Sequence, residues 1–494
     1  MSQLPILSII ISLPLISALY IIIFTSDGSL LKKQHYANYV AILSSFLTLL
    51  CTIYLLVQFN NSNPHHQFVE HYRWVSQIGL DFHVGIDGIS ILFVVLTAFL
   101  TLLCLISSIC TIKKHIKEFL LCFLLIESFC IGAFSSMNLL LFYLFFEILL
   151  IPLYMIIGIW GGENRVYAAV KFFLYTFFGS VFFLLAIIYI YGQAGTFNIE
   201  DLPKVALLFT PLAQKFLWWA IFIALAIKIP MLPFHTWLPN AHVQAPTAGS
   251  VILAGILLKL GGYGFLRILL PIFPSLCKEF STYLLMLSLV GVIYASLVAL
   301  AQRDMKKMIA YSSIAHLGYA SAGIFSLNQQ GIQGAIYQMI SHGFISSSLF
   351  LIVGSLYERS HTKEINQYGG VAGVMPILAT FFMITMLGSI GLPGTSGFIG
   401  EFLSVVAIYK VNTSIAIFTL VGIILGAIYM LKLYQQVMLG SITNKKIFGF
   451  KDLSFYEIIS LLPLALGIIY LGIVPNSVLN IINSATQKLL LQLF

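Results

Sequence analysis

The 494-residue chain is 60% hydrophobic and only 9% charged, and its mean hydropathy is +0.99. About a quarter of the residues in a soluble domain are charged, so this chain cannot cover a globular surface with solvated side chains and much of its surface must face lipid. Its net charge of +8 comes from basic residues that lie mostly in short loops and are not interleaved with aromatic residues, which argues against nucleic acid as a partner.

Long apolar runs follow one another along the chain. A helix of about 20 residues crosses a bilayer, and the runs are continuous, without the alternation of membrane β-strands, so they predict helices. The last stretch, 476–494, is predicted to be a short amphipathic segment at the interface. The fourteen candidate spans have approximate cores at 4–24, 37–58, 87–109, 118–135, 137–160, 168–191, 215–236, 245–270, 281–301, 307–326, 331–355, 371–409 (interrupted), 415–438 and 454–474.

The N-terminal sequence and the loop charges predict the topology. The first residues show no basic region and no small-residue cleavage site, so no cleaved signal peptide is expected. Loops after odd-numbered spans hold fourteen Lys and Arg residues, whereas loops after even-numbered spans, with the C-terminal tail, hold seven. Because basic loops favour the cytoplasmic side, the odd-numbered loops are predicted to face the cytoplasm or matrix, and both termini the other side.

The pattern of the six cysteines indicates neither a metal site nor a redox centre. They form no CxxC pair and no cluster with histidine, and five lie in apolar runs. They are therefore predicted to be small buried hydrophobic residues. No signature of haem, an Fe–S cluster or zinc is present, so the chain is expected to carry no cofactor and no metal of its own.

Two interruptions by proline and glycine suggest an internal symmetry. Spans four to eight begin near 118 and spans nine to thirteen near 281, and each set contains one break, at 229–233 and at 391–397. Paired interrupted helices are typical of inverted-repeat transporters and of their ion paths. The predicted fold is therefore an all-α polytopic membrane protein with about 14 transmembrane helices, two inverted five-helix halves, and broken helices 7 and 12. The predicted segments are 1–117 (helices 1–3 and a long loop), 118–270 (first repeat), 281–440 (second repeat) and 441–494 (helix 14 and the tail).

Ionisable residues inside the spans are the candidate functional groups, because a charge at mid-bilayer costs from about 3 to more than 10 kcal/mol. Glu147 has no basic residue within two helical turns, Lys228 precedes the first break, Lys259 lies among glycines, and Glu401 follows the second break. Both signs of charge suit a chain in which each proton changes the pKa of the next group. A fixed-charge pore uses rings of one sign. The alternatives are a hydrogen-bonded structural acid for Glu147, binding to freed carbonyls for Lys228, snorkelling for Lys259 and an interfacial carboxylate for Glu401. Glu127, another acid inside a span, is left open between a functional and a structural role.

Histidines and two further lysines complete the candidates. His316 and His342 lie within spans and suit a proton relay, because histidine titrates nearest neutrality; the alternative is that they are merely hydrogen-bonded. His235, beside a tryptophan, is predicted to shape the broken helix. Lys171 and Lys432 lie nearer span ends and are predicted to be interfacial anchors.

Several stretches carry a family resemblance. The sequence KIPMLPFHTWLPNAH at 228–242 and the sequence APTAGSVILAGILLKLGGYG at 245–264 closely resemble subunit M of proton-pumping NADH:quinone oxidoreductase (respiratory complex I), the bacterial counterpart of subunit 4 of the mitochondrial enzyme. Other matching stretches are 84–90, 160–165, 306–316 and 391–401. The resemblance covers nearly the whole chain and is most specific at 228–264.

The resemblance implies a fourteen-helix, antiporter-like subunit in the membrane arm of the enzyme. In that family an acid on the fifth helix pairs with a lysine on the broken seventh, and a lysine on the eighth and an acid on the broken twelfth carry the proton onward. These roles fall on Glu147, Lys228, Lys259 and Glu401, and His316 and His342 match histidines of the same polar axis.

The resemblance also implies the setting of the chain. The chain would be an enzyme subunit with no NADH or redox site of its own, and FMN, Fe–S clusters and quinone would be bound by partner subunits. Its partners would be other membrane subunits, including adjacent antiporter-like ones, together with lipid and protons. The expected location is the bacterial inner membrane, with the mitochondrial inner membrane as the alternative.

The sequence departs from the family pattern at two positions, and two other functions are alternatives. Relatives commonly have an acid where this chain has Asn240 and often an Asp where it has Asn138, which bears on proton entry but not on the central residues. The runner-up function is a subunit of an Mrp-type Na⁺/H⁺ antiporter, but the details at 234–239 and 257–263 favour the respiratory subunit. A purely structural scaffold is the third reading, and it would not need lysines in the middle of its spans.

Overall fold

The computed structural model describes residues 4–24, 31–442 and 444–493, without the side chains of 31–35 and Ser76. Met1 and Phe494, whose sidedness the loop charges predict, and the side chains of Lys32 and Lys33 lie outside this description. The described chain is mainly helical, with one two-stranded hairpin. Its elements are α1 (Ile6–Phe24), α2 (Leu31–Gln58), β1 (Gln67–Val75), β2 (Leu80–Ile86), α3 (Ser90–Thr111), α4 (Ile116–Ser135), α5 (Leu139–Ile148), α6 (Leu150–Trp160), α7 (Arg165–Ala194), α8 (Leu202–Ala206), α9 (Pro211–Lys228), α10 (Trp237–Gln244), α11 (Thr247–Ile272), α12 (Pro274–Leu300), α13 (Met305–Phe325), α14 (Gln329–Ser360), α15 (Pro376–Ile390), α16 (Ser396–Val411), α17 (Thr413–Met438), α18 (Phe455–Ile473) and α19 (Asn476–Leu493).

Twelve of the described helices are long and apolar enough to cross a membrane, counting α5 and α6 together as one. This confirms a polytopic, mainly helical membrane protein. Helix α13 and the pair α15 and α16 correspond to the two other predicted spans but are not among the twelve, so the count of fourteen stays a prediction. The tail forms helix α19, as its amphipathic pattern suggests.

Helix ends lie beside the prolines and glycines of both predicted breaks. Helix α9 ends at Lys228, short of the predicted span end at 236, and α10 begins at Trp237. Pro230 and Pro233 lie between them, and proline has no backbone N–H to continue a helix. Helix α15 ends at Ile390 and is followed by Gly391 at φ +76°, before α16 begins at Ser396.

The hairpin is a feature that the sequence reading missed, because it lies within the predicted long loop of 1–117. Strands β1 and β2 pair antiparallel, with His71 opposite His83 and Tyr72 opposite Phe82. Glu70 of β1 accepts hydrogen bonds from the backbone N–H groups of Leu7, at 2.7 Å, and Ser8, at 3.1 Å. The hairpin therefore caps the first turn of α1.

The described residues divide into two compact units. Unit 1 comprises the chain up to Ile229, residues 256–280 and the tail from Asn480, and unit 2 comprises residues 230–255 and 281–479. In unit 1, α4 packs against α1 and α3, while α9 packs against α7 and the second half of α11. A Cβ at Gly261 would lie 2.8 Å from the carbonyl oxygen of Leu225, so this glycine lets α11 lie directly on the end of α9.

Helix α14 is the centre of unit 2. It is almost wholly buried and packs against α13, α15, α16 and α18. A Cβ at Gly334 would lie 2.8 Å from the backbone nitrogen of Ser404, and one at Gly400 would lie 2.6 Å from the Cα of Gln338. These glycines allow the backbones of α14 and α16 to approach closely, as small residues do in membrane helices.

Candidate functional site

Glu147 lies at the end of α5, where the fifth predicted span is bent. Pro152 cannot donate a hydrogen bond to Ile148 four residues earlier, and α5 ends at that residue. The carboxylate of Glu147 is half-buried and lines an otherwise mostly apolar cavity of about 860 Å³. Its Oε2 atom has no hydrogen-bond partner, and the carboxyl group interacts with the Ser180 side chain through a hydrogen bond.

Lys228 is the last residue of α9 and is completely buried. Its Nζ atom has no hydrogen-bond partner and lies 4.3 Å from the centroid of the Phe146 ring. Lys228 and Glu147 lie close enough to interact electrostatically, but they form neither a hydrogen bond nor an ion pair. The expected acid–lysine pair is therefore present as neighbouring charges and not as a direct contact.

Lys259 is also completely buried, in the middle of α11. The helix widens to π-helical hydrogen bonding on both sides of it, at Leu253–Leu257 and Phe265–Leu269. Such π segments are uncommon and occur frequently at functional sites. Because α11 lies directly on the end of α9, the fold places Lys259 and Lys228 on adjoining helices of unit 1.

Glu401 and His316 form a direct buried pair in unit 2. Glu401 lies in α16, and His316 in α13. His316 Nδ1 lies 2.6 Å from Glu401 Oε1, and both side chains are buried. The carboxylate of Glu401 is therefore enclosed by the protein and paired with a titratable group.

Polar side chains from neighbouring helices extend this pair. The side-chain Nε2 of Gln338 in α14 donates a hydrogen bond to Glu401 Oε1 at 3.1 Å. The hydroxyl Oγ of Ser389 in α15 lies 3.3 Å from His316 Nε2. The rings of His316 and His342 are 6.0 Å apart. The structure thus brings together all three residues predicted for this unit. The sequence reading missed Gln338, although its spacing of four residues from His342 would have placed both on one helix face.

The remaining candidates lie in different surroundings. Glu127 is completely buried and accepts a hydrogen bond from Ser45 at 3.0 Å. The His235 ring packs edge-on against Tyr294, 5.5 Å away, as a residue that shapes the interruption would. Lys432 is exposed and Lys171 partly exposed, which agrees with their predicted positions near the span ends.

The departure at Asn138 has a structural explanation. Asn138 precedes α5, and its side chain accepts a hydrogen bond from the backbone N–H of Leu141 at 3.0 Å. Asn and Asp are about equally good at this capping position. The residue therefore caps the start of α5. Asn240 lies in α10 and is partly exposed.

The arrangement suits proton movement and offers no ligand set for a metal. Within residues 4–24, 31–442 and 444–493, no group of three or more His, Cys, Asp or Glu side chains is placed to hold an ion. The buried groups are of titratable types, and both acidic and basic side chains occur among them. Each transfer would therefore change the electrostatic energy of the next group.

Comparison with known proteins gives one family. The model of the NADH:quinone oxidoreductase/Mrp antiporter membrane family matches residues 136–426. NADH-quinone oxidoreductase subunit M of Rickettsia bellii is 66% identical and covers 100% of both chains. NADH-ubiquinone oxidoreductase chain 4 of Marchantia polymorpha is 44% identical and covers 98% of this chain and 96% of its own. A chain in the structure of respiratory complex I from Thermus thermophilus with bound NADH is 28% identical, with a TM-score of 0.88 over 99% of this chain and 100% of that one.

These likenesses decide between the two leading functions. The matched family model covers both oxidoreductase and Mrp subunits, but the full-length relatives at 66% and 44% identity are both subunits of the oxidoreductase. The Mrp alternative is the less supported one. The chain belongs to the subunit M family of NADH-quinone oxidoreductase, the antiporter-like membrane subunits of respiratory complex I.

Proposed function

We propose that the chain transfers protons across the membrane through two groups of buried residues, Glu147, Lys228 and Lys259 in unit 1 and His316, His342 and Glu401 in unit 2. The observation that carries the proposal is the buried His316–Glu401 contact of 2.6 Å. A histidine that is hydrogen-bonded to a carboxylate through one ring nitrogen can take up a proton on the other ring nitrogen. Ionisable groups are costly in a membrane interior and are therefore a mark of a functional site there.

In unit 1 the proposed step depends on the charge of Glu147. The Lys228 ammonium has no hydrogen-bond partner, so the nearby carboxylate is a main source of stabilisation for its charged form. When Glu147 is neutralised or moves away, that stabilisation falls and Lys228 releases its proton. Lys259, on the adjoining helix, is the proposed acceptor.

In unit 2 the proposed step passes through the imidazole ring. Ser389 lies at His316 Nε2 and Glu401 at His316 Nδ1. A proton that arrives at Nε2 leaves from Nδ1 to the carboxylate, and the ring need not turn. His342 and Gln338 hold the ring and the carboxylate within this polar group. Glu401 is the last proposed acid before the far side.

The proposal includes the setting of the chain in its complex. Redox energy would come from partner subunits that bind FMN, Fe–S clusters and quinone. Adjacent antiporter-like subunits and lipid would surround this chain in a bacterial inner membrane, with both termini facing away from the cytoplasm. The segments 118–270 and 281–440 would be the two inverted repeats. The names of the relatives and the Thermus thermophilus likeness support the placement among partner subunits of the complex.

The test is proton pumping by the intact complex in inside-out membrane vesicles. We expect Glu147→Gln and Lys228→Met each to lower the number of protons pumped per NADH oxidised, because each removes one of the two interacting charges. The matched control is Lys171→Met, which removes a partly exposed lysine from α7 and should leave pumping unchanged. A native gel stained for NADH dehydrogenase activity confirms that each variant is assembled.

The outcomes separate the candidate functions. Full pumping by an assembled Glu147→Gln, Lys228→Met double variant would refute the proposed proton transfer. Proton exchange that requires sodium, in a complex without NADH activity, would favour the Mrp-type antiporter instead.

A further inference from the structure

A second cluster of charged residues lies in unit 1, apart from the proton-transfer residues. Arg267 Nη2 lies 2.6 Å from Asp87 Oδ1, and both side chains are largely buried. His66 Nδ1 lies 2.9 Å from Glu200, and Lys488 Nζ lies 3.6 Å from the same carboxylate. All five residues line one cavity of about 40 Å³. A polar cavity of this size has room for water, which needs about 10 to 15 Å³ per molecule by this measure.

Helix α11 connects this cavity to Lys259. Lys259, Tyr263 and Arg267 are spaced four residues apart and so lie along one side of the helix. The rise of about 1.5 Å per residue places the backbones of Lys259 and Arg267 about 12 Å apart. A proton that left Lys259 in this direction would therefore meet Tyr263 and Arg267 before it reached the cavity.

Tyr263 is poorly suited to carry that proton. Its hydroxyl donates to the carbonyl oxygen of Phe134 at 2.8 Å and accepts from Arg267 Nε at 3.4 Å. Its only hydroxyl proton is thus held by a backbone carbonyl. The Tyr263 ring also packs edge-on against Phe134, 5.2 Å away, and against Phe93, 6.1 Å away. These apolar rings pack around Tyr263, which lies between Lys259 and Arg267 along the helix.

Arg267 is a fixed positive charge one helical turn beyond Tyr263. A guanidinium is not deprotonated in proteins, so it cannot accept and pass on a proton. Asp87 holds it in place, because Asp87 Oδ1 also accepts from the backbone N–H groups of Ile89, at 3.1 Å, and Ser90, at 3.0 Å. An arginine can form an electrostatic barrier to protons and other cations in a membrane pore, although here the Asp87 carboxylate offsets part of its charge.

We propose that Arg267, held by Asp87 and Tyr263, is an electrostatic seal that closes unit 1 between Lys259 and the charged cavity. The proposal rests on the proposed function, since a seal is needed only where protons reach Lys259. The cavity belongs to loops that follow even-numbered spans, which the loop charges predict to face away from the cytoplasm. The seal would prevent a proton on Lys259 from escaping directly to that side.

The test is passive proton leak through the purified complex in liposomes, without NADH. A pH difference is imposed by dilution, and its decay is followed with a pH-sensitive dye. For Arg267→Gln we expect a decay about tenfold faster, the change for a barrier lower by about 1.4 kcal/mol. Arg267→Lys keeps the positive charge and should stay close to the unchanged complex. The matched control is Lys488→Gln, which removes a cation of the same cavity but leaves the seal intact.

The results decide the proposal independently of pumping, because no turnover takes place. A leak in Arg267→Gln that is absent in Arg267→Lys and Lys488→Gln would support the seal. An unchanged leak in assembled Arg267→Gln would overturn it, as would equal leaks in the Gln and Lys variants of Arg267. If Arg267→Gln does not assemble, Tyr263→Ala removes the aromatic part of the seal and should also leak; a tight Tyr263→Ala complex would then refute the proposal.

Discussion

One oxygen atom of Glu401 is the focus of the proton-transfer group in unit 2. Oε1 lies 2.6 Å from His316 Nδ1 and accepts from Gln338 Nε2 at 3.1 Å. The other oxygen, Oε2, would lie 3.3 Å from a Cβ at Gly391. A carboxylate held on one side and bordered by a glycine on the other has room for small movements, which a proton acceptor needs when it gains and loses its partner.

Gly391→Ala tests whether this space matters. Gly391 has φ +76°, so an L-residue there costs about 1 kcal/mol of stability, and its methyl group would also press on Glu401. We expect slower pumping together with a lower melting temperature. Gly394→Ala is the matched control, because Gly394 has φ +93° and nothing within 4 Å of its Cβ position. It should lower the melting temperature and leave pumping unchanged. Equal pumping by the two variants would show that the space beside Glu401 is not used.

At the scale of elements, the hairpin and α1 depend on each other. The Glu70 carboxylate accepts hydrogen bonds from the first free N–H groups of α1 and from the Ser8 hydroxyl. A negative charge is favourable at a helix N-terminus. The hairpin thus supplies a cap for α1, since the described residues directly before it, Leu4 and Pro5, have no polar side chain.

Glu70→Gln removes the charge of this cap. Loss of a capping interaction costs about 1 kcal/mol, so local opening of the first turn should rise roughly fivefold. Hydrogen exchange at the amides of Leu7 and Ser8 measures this opening. Asp81→Asn makes the same chemical change on β2, in a more exposed pair with His71, and should leave the exchange of these amides as it is. Similar acceleration in both variants would mean that Glu70 acts through the hairpin in general and not as a cap.

Features that show in a short stretch of sequence could be predicted. Residues whose role depends on partners far away in the chain could not. Lys228 and Glu401 stand out because a charge inside an apolar run is conspicuous on its own. Gln338 and Ser389 are neutral, and their partners lie 63 and 73 residues away, so neither stands out in an apolar run as a charged residue does. The hairpin was missed because a search for long apolar runs does not register two short strands.

At the scale of the whole molecule, the candidate residues fall into both units. Glu147, Lys228 and Lys259 belong to unit 1, and His316 and Glu401 to unit 2. The division allows two arrangements of the proton path, and the two predict different effects of mutation. If the units act in series, every proton passes both groups. If they act in parallel, each unit carries its own protons and needs only its own charges.

Single substitutions in each unit, compared with the double substitution, distinguish the series arrangement from the parallel one. Groups that act as one pathway give strongly non-additive losses, whereas independent groups give additive ones. We expect Glu147→Gln alone and Glu401→Gln alone to remove the same number of protons per NADH as the double variant, because a transfer chain stops at whichever acid is missing. The measurement is the ratio of protons pumped to NADH oxidised in vesicles, with the assembled amount of each variant checked on native gels. A double variant that loses the sum of the two single losses would contradict the series arrangement and would mean that each unit conducts protons without the other.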